Sequence, residues 1–490
     1  MKIIKRFSIA LIALLTITSC SDSFFDVNTD VNNPTFSTPE LSLPSAQKRS
    51  VDLLSGDYNS MNTLGNLWAY SWAAESGSAY FTDETAYRVN SSFRSNIFTT
   101  AYLGPLANYD YIEKNIDPKY SNYKAISMIM KSFHFQYLVD TYGDIPYFEA
   151  FDRANNPRPK YDSGQAVYDD LIIQLTAAQD LIANPNSATI AVGANDIMCG
   201  GNMGKWARFA NTLKLRILLR QVPKSTPSFA SVNNSVGFLG VGETVFANPG
   251  YIALVAGKQN PLYNAFKLSD ANVPAANDVA TKATPFALSR FLTGDLRKIQ
   301  IWNRIGTTTN YLGIEQNDIN GPKAAALSSI GPGILKSATM SGIIMQSAES
   351  LFLQAEAVER GFIPGNATSL YEAAVQDSFT QVGAGSATAF LIALGNYPTS
   401  NQADRLLKIY NQKFIALMST NGYENWIESR RIDPVGIDKI PVAQSILGIP
   451  FGPNVPVRLF YPTSEYSSNS ANVPTLVSGD QFTKKVFWDN

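Results

Sequence analysis

Histidine, cysteine and charge are all scarce in this 490-residue sequence. His134 is the single histidine, so zinc centres built on two or three imidazoles are excluded by count. A serine–histidine–carboxylate triad would have to use that one ring. It lies within 124–138, where Ile126, Ile129, Met130, Phe133 and Tyr137 recur at helical spacing, so it reads as a core group. The two cysteines, Cys20 and Cys199, are too few for a thiolate metal cage. Charged residues make up 16% of the chain and the net charge is −1. No basic surplus therefore points to nucleic acid or to anionic lipid. No run of about 18 apolar residues occurs, so no segment reads as a membrane-spanning helix.

The first residues do carry a shorter apolar signal. Lys2, Lys5 and Arg6 precede an uncharged stretch from Phe7 to Ile17, followed by Thr18-Ser19-Cys20. A stretch of about 11 residues fits the hydrophobic part of a secretory leader. A small residue before cysteine looks like a bacterial lipobox. Residues 1–19 are then expected to be a signal peptide and Cys20 the lipidated first residue of the mature chain. Cys199 would remain alone, with no intramolecular disulfide possible. Residues 20–38 read as a lipid-anchored tether, and Asp26–Pro34 within it as Asx turns. The run also resembles the start of a calcium loop, but Val31 and Ser37 stand where an EF-hand needs Gly and Glu, so Asx turns are the better reading.

Aromatic residues reach 11%. Helical periodicity predicts helices over 39–55, 60–76, 95–116, 120–140, 163–183, 204–221, 342–361, 365–380 and 403–430, the last broken near Asn421-Gly422. The fold class is mainly α. A single domain over 39–490 is expected, its helical scaffold at about 39–221 and 342–431. The regions 222–340 and 432–490 are rich in Gly, Pro, Asn, Ser and Thr and read as irregular lobes with short elements. Ala355, Ala367, Tyr371 and Ala374 match the small–small–aromatic–small core of a tetratricopeptide hairpin.

Several motifs can be weighed for chemistry. Gly200–Lys205 is no phosphate loop, because Cys199 and Trp206 occupy its first-glycine and Ser/Thr positions. Along 205–217, Trp206, Phe209, Leu213 and Ile217 form an apolar face, with Arg208, Lys214 and Arg216 on the remainder. Gly143 and Pro146 are placed to end a helix, with Asp144 holding the turn. Glu424 and Glu428 share a helix face beside Arg430 and Arg431. Such carboxylates can serve a glycosidase, but a helix-end charge network is the better reading. Ligand capture needs rings and polar groups at a surface. Trp68, Trp72, Tyr80, Tyr87 and Arg88 form one candidate pool, and Trp302 and Tyr311 a second. Trp68 and Trp72 are i,i+4 and equally suit a core. No catalytic nucleophile, metal site or cofactor motif is recognised.

Taken together, ordered segments resemble the SusD/RagB family of nutrient-binding lipoproteins of Bacteroidota. They are Asp26–Thr35, Tyr137–Tyr147, Tyr161–Leu171, Lys205–Arg216, Gly294–Arg297, Glu349–Glu356, Ile409–Ala416, Glu424–Arg431 and Arg458–Asn469. The resemblance implies a scaffold of tetratricopeptide units draped with irregular lobes. It implies a non-catalytic lipoprotein at the outer-membrane surface, acting as a lid over a SusC-like TonB-dependent barrel. The ligand it implies is an oligosaccharide, or in some branches an oligopeptide. A surface glycoside hydrolase or peptidase, and a tetratricopeptide scaffold or adhesin, remain as alternatives.

Overall fold

The computed structural model describes residues 37–222, 224–432 and 440–489. The leader, Cys20 and the Asp/Asn-rich tether lie outside the described residues. The principal helices are α1 (Pro39–Ser55), α2 (Met61–Trp68), α3 (Ala107–Glu113), α4 (Ser121–Tyr142), α5 (Gly164–Ala183) and α6 (Met203–Arg220). Further on come α7 (Ser347–Glu359), α8 (Ala367–Val382), α9 (Gln402–Leu417) and α10 (Gly422–Ile432). Four short strands, β1 (Trp72–Ala73), β2 (Val245–Ala247), β3 (Lys282–Ala283) and β4 (Gly342–Met345), form two antiparallel pairs, β1 with β3 and β2 with β4.

Most helices follow the apolar periodicity and have legible ends. Ser163 caps α5, Asn202 caps α6, Asn366 caps α8 and Asn401 caps α9, each accepting from a backbone N–H near the helix start. The predicted helix at 60–76 is cut short at Trp68. Tyr70 adopts φ 53°, and Gln316 Nε2 donates to Leu67 O at 2.7 Å and to Trp72 O at 2.8 Å. These bonds from a distant loop replace helical ones and let β1 form. The predicted helix at 342–361 likewise begins as β4, and α7 starts at Ser347. Around Pro105, which lacks an N–H, the 95–116 helix widens to a π turn over Tyr102–Leu106. Gly143 ends α4 at φ 79°, ψ −112°, a positive φ but not the left-handed helical cap expected. Asp144 Oδ1 holds the turn by accepting from Gly164 N at 3.0 Å.

The tetratricopeptide signature corresponds to a packed hairpin of α7 and α8, with Ala355, Tyr371 and Ala374 fully buried. Tyr371 Oη donates to Gly395 O at 2.6 Å. The two glycines Gly65 and Gly422 let α2 and α10 touch backbone to backbone. A Cβ on Gly65 would lie 2.0 Å from Tyr423 N.

Charges enter the core where the sequence suggested a polar face. Trp206, Phe209, Leu213 and Ile217 are buried as expected, but so are Lys214 and Arg216. Arg216 pairs with Glu349 at 3.2 Å. Arg431 grips Glu356 with two bonds of 2.8 Å, and Lys413 and Arg220 each reach Glu428 at 2.8 Å. This network ties α6, α7, α9 and α10 together. Burial pushes Glu356 up, but Arg431 and Lys413 outweigh it and hold the carboxyl at about 2. Burial raises Glu349 to about 7 against the pull of Arg216. Glu424 and Glu428 are engaged by Arg220 inside this network, which fits the structural reading of that helix.

Candidate functional site

The most unusual backbone of the molecule is concentrated in one layer of loops. Eight described non-glycine residues have positive φ. Tyr70, Phe81, Tyr87 and Arg94 lie in a single stretch of the chain, and Asn317 lies on the loop bonded to it. Such conformations cost on the order of 1–3 kcal/mol each and gather where function requires a fixed shape.

The surroundings over-determine this shape. Asn317 Nδ2 donates to Thr85 O at 3.1 Å, and Thr85 Oγ1 donates to Asn317 Oδ1 at 2.7 Å. Ser76 Oγ donates to Ile319 O at 2.6 Å, and Tyr70 Oη to Glu315 Oε2 at 2.8 Å. Lys323 Nζ donates to Ser76 O at 2.5 Å. Arg94 holds Glu84 with Nε at 2.8 Å from Oε1 and donates to Tyr58 O at 2.8 Å. Residues 70–94 and 315–323 thus form one rigid surface.

The pool of candidate residues divides on it. Trp68, Trp72, Tyr87 and Trp302 are buried, which corrects the expectation that their rings offer faces to a ligand. Trp68 Nε1 donates to Glu84 O at 3.0 Å, and its ring lies 5.0 Å from that of Trp426. Trp72 Nε1 donates to Ser419 Oγ at 3.0 Å. Tyr87 Oη accepts from Ala443 N at 3.0 Å, and burial pushes its hydroxyl up to about 12. Trp302 bridges to Ile330. Trp68, Trp72 and Tyr87 therefore support the loop from below.

Tyr80, at 39% exposure, and Arg88 are left at its surface. Arg88 Nη1 meets Asp83 Oδ1 at 3.2 Å. Tyr311 is half-buried, with Lys298 Nζ 4.8 Å from its ring centre. It lies on the segment that continues to Glu315 and Asn317. The structure thus carries Tyr80 and Arg88 on one loop and Tyr311 on the neighbouring strip. Sequence reasoning missed Gln316, Asn317 and Arg94, which fix the shape. The turn-rich run Asn317–Pro322, in which asparagine tolerates positive φ, was the available signal.

His134 is buried, its Nε2 2.8 Å from Ser50 Oγ, and burial lowers it to about 3. It is remote in sequence and bonding from the loop layer. Cys199 is half-buried, and burial raises its thiol well above the usual range. Among the described residues no group of three or more His, Cys, Asp and Glu side chains is arranged to hold a metal.

The fold has close parallels. A chitin-binding SusD homologue from Flavobacterium johnsoniae superposes with a TM-score of 0.74 at 22% identity, covering 91% of this chain and 98% of that one. A SusD homologue from Bacteroides uniformis gives 0.73 at 22%, covering 92% and 99%. A SusD-like protein of Bacteroidetes gives 0.72 at 18%, covering 93% and 100%. No curated protein matches the sequence. The family model described as starch-binding and associating with the outer membrane matches residues 41–462. The chain therefore belongs to this SusD-like family and is a binding protein rather than an enzyme.

Proposed function

We propose that the chain is a surface lipoprotein, anchored through Cys20, that captures an oligosaccharide on the loop layer bearing Tyr80, Arg88 and Tyr311. It then delivers the ligand to a SusC-like TonB-dependent barrel, over which it acts as a lid. The observation that carries ligand capture is the concentration of strained, over-determined backbone beneath Tyr80 and Arg88. A preformed surface spends little of its binding energy on ordering. Family membership and the chitin-binding relative support a glycan as the ligand. A sugar can lay its C–H face on the Tyr80 ring while Arg88 and Asp83 meet its hydroxyls. The leader ending at Cys20 supports the anchor.

Calorimetric titration with chitin-derived and starch-derived oligosaccharides, and with oligopeptides, tests the capture. Tyr80→Ala combined with Arg88→Ala is expected to weaken glycan binding about tenfold or more, the scale of losing an aromatic anchor. Unchanged affinity would move the site elsewhere. Mass spectrometry of what copurifies from solubilised outer membrane tests delivery. A stoichiometric barrel is expected, and recovery of the protein alone counts against the lid.

A further inference from the structure

A cleft of about 270 Å³ opens between α3, α4, α5 and the turn 145–152, on helices that the loop layer does not include. It is near the lower end of the ~300–1,000 Å³ typical of ligand sites, which suits a single ring. One wall is Phe148, which leaves 58% of its surface in solvent. That exposure is imposed by the backbone. Tyr147 N and Phe148 N both donate to Asp162 Oδ2, at 3.0 and 2.9 Å, and Tyr102 Oη donates to Pro146 O at 2.5 Å. Behind it Tyr147 packs edge-on, with ring centres 4.9 Å apart. Phe148 is therefore a fixed aromatic platform.

The charged groups lining the cleft are not all paired. Asp110, Glu113, Lys114 and Lys131 neutralise one another. Lys131 reaches Asp110 at 2.9 Å and Glu113 at 2.8 Å, and Lys114 reaches Asp110 at 2.7 Å. The two remaining carboxylates have neutral donors. Asp170 accepts from Tyr147 Oη at 2.6 Å and Gln174 Nε2 at 3.1 Å, while Asp152 accepts from Asn155 at 2.9 Å and Asn156 at 3.0 Å. Among the described residues no ion pair neutralises either one. Carboxylates only accept hydrogen bonds, and an aromatic face attracts cations. The ligand that completes these carboxylates brings a positive donor. The neutral quartet and Gln174 offer partners for hydroxyl groups.

From this we infer that the cleft is a second saccharide site, for a sugar ring carrying a protonated amine, a 2-amino-2-deoxyhexose unit. The ring's C–H face stacks on Phe148 and its ammonium sits between Asp152 and Asp170. The inference extends the glycan-binding reading to a site that does not depend on the loop layer.

Calorimetry at pH 6 with glucosamine oligomers, their N-acetylated counterparts and a lysine-rich peptide tests it on the full protein. Glucosamine oligomers are expected to bind the Tyr80→Ala/Arg88→Ala protein, with affinity falling as salt rises. Asp152→Asn with Asp170→Asn keeps the side-chain size and removes the charge. It is expected to lower that affinity at least tenfold, as is Phe148→Ala, with the circular dichroism spectrum unchanged. Equal binding of free-amine and acetylated oligomers at the cleft, or indifference to the Asp→Asn pair, would overturn the inference. Equal competition by the lysine peptide would overturn its saccharide part. Loss of all glycan binding in the Tyr80/Arg88 variant, with Phe148→Ala silent, removes the second site and leaves the loop site standing. Amine binding without any neutral-glycan binding does the reverse.

Discussion

Lowering the pH should destabilise this protein through its single histidine. In the folded chain burial holds His134 at about 3, so the ring stays neutral under ordinary conditions. In the unfolded chain it takes a proton below about 6.5. The folded-state value is depressed, so the contribution to stability is complete above about pH 6.5 and is lost as the pH falls towards 3. One proton difference is worth about 1.4 kcal/mol per pH unit, so roughly 2 kcal/mol disappears between pH 6.5 and 5. Thermal melting is a poor reporter. At about 2 cal/mol/K per residue, 2 kcal/mol moves the Tm of so long a chain by only about 2 °C. Denaturant unfolding at pH 7.5, 6 and 5, for wild type and His134→Gln, is the better assay. The substitution carries a constant cost from the lost packing and the bond to Ser50, which the pH slope cancels. Buried carboxylates titrate as well, Glu356 against acid and Glu349 in the opposite sense, but equally in both proteins. The wild type should lose about 2 kcal/mol more than the variant between pH 7.5 and 5. NMR of the one imidazole gives a direct reading, with no midpoint expected between pH 5 and 8. A midpoint in that range, or equal slopes, would refute the reasoning.

Two further outcomes follow from packing. Gly65→Ala places a Cβ 2.0 Å from Tyr423 N and should cost about 3 kcal/mol by forcing α2 and α10 apart. Gly104→Ala, whose Cβ would meet Thr100 Cγ2 at 3.7 Å, should be tolerated, and urea unfolding compares the two. Arg431→Met removes the cation shared by Glu356 and Glu428 and should cost about 3–5 kcal/mol, since it leaves buried carboxylates short of a partner. A change below about 1 kcal/mol in unfolding free energy would mean that the network relaxes around the loss.

Helices whose periodicity is unbroken and whose caps are local were readable from the sequence. The cores of α1, α4, α5, α6, α8 and α9 lie close to where the apolar spacing puts them. The prediction failed where a distant partner competes for the backbone. The end of α2 is set by Gln316, some 250 residues further along the chain, and β4 forms because β2 lies beside it. The candidate site shows the same limit. Aromatic density drew attention to the right loop, yet it could not sort platform from support. Trp68 and Tyr80 each lie between an alanine and a large apolar residue, and only the first is covered, by Phe93 and Trp426.

By itself the sequence determined the helical class, the hairpin built on Ala355, Tyr371 and Ala374, and the structural role of His134. These depend on near neighbours in the chain, whose spacing along a helix is fixed by covalent geometry. Counting histidines and cysteines was equally decisive about the chemistry excluded. The tertiary structure alone decided that Arg216, Lys214 and Arg431 are buried, that Glu424 and Glu428 are engaged by Arg220, and that Phe148 is held out into solvent. Burial and pairing are set by which elements meet in space. Residues hundreds of positions apart make those meetings, and no local pattern encodes them.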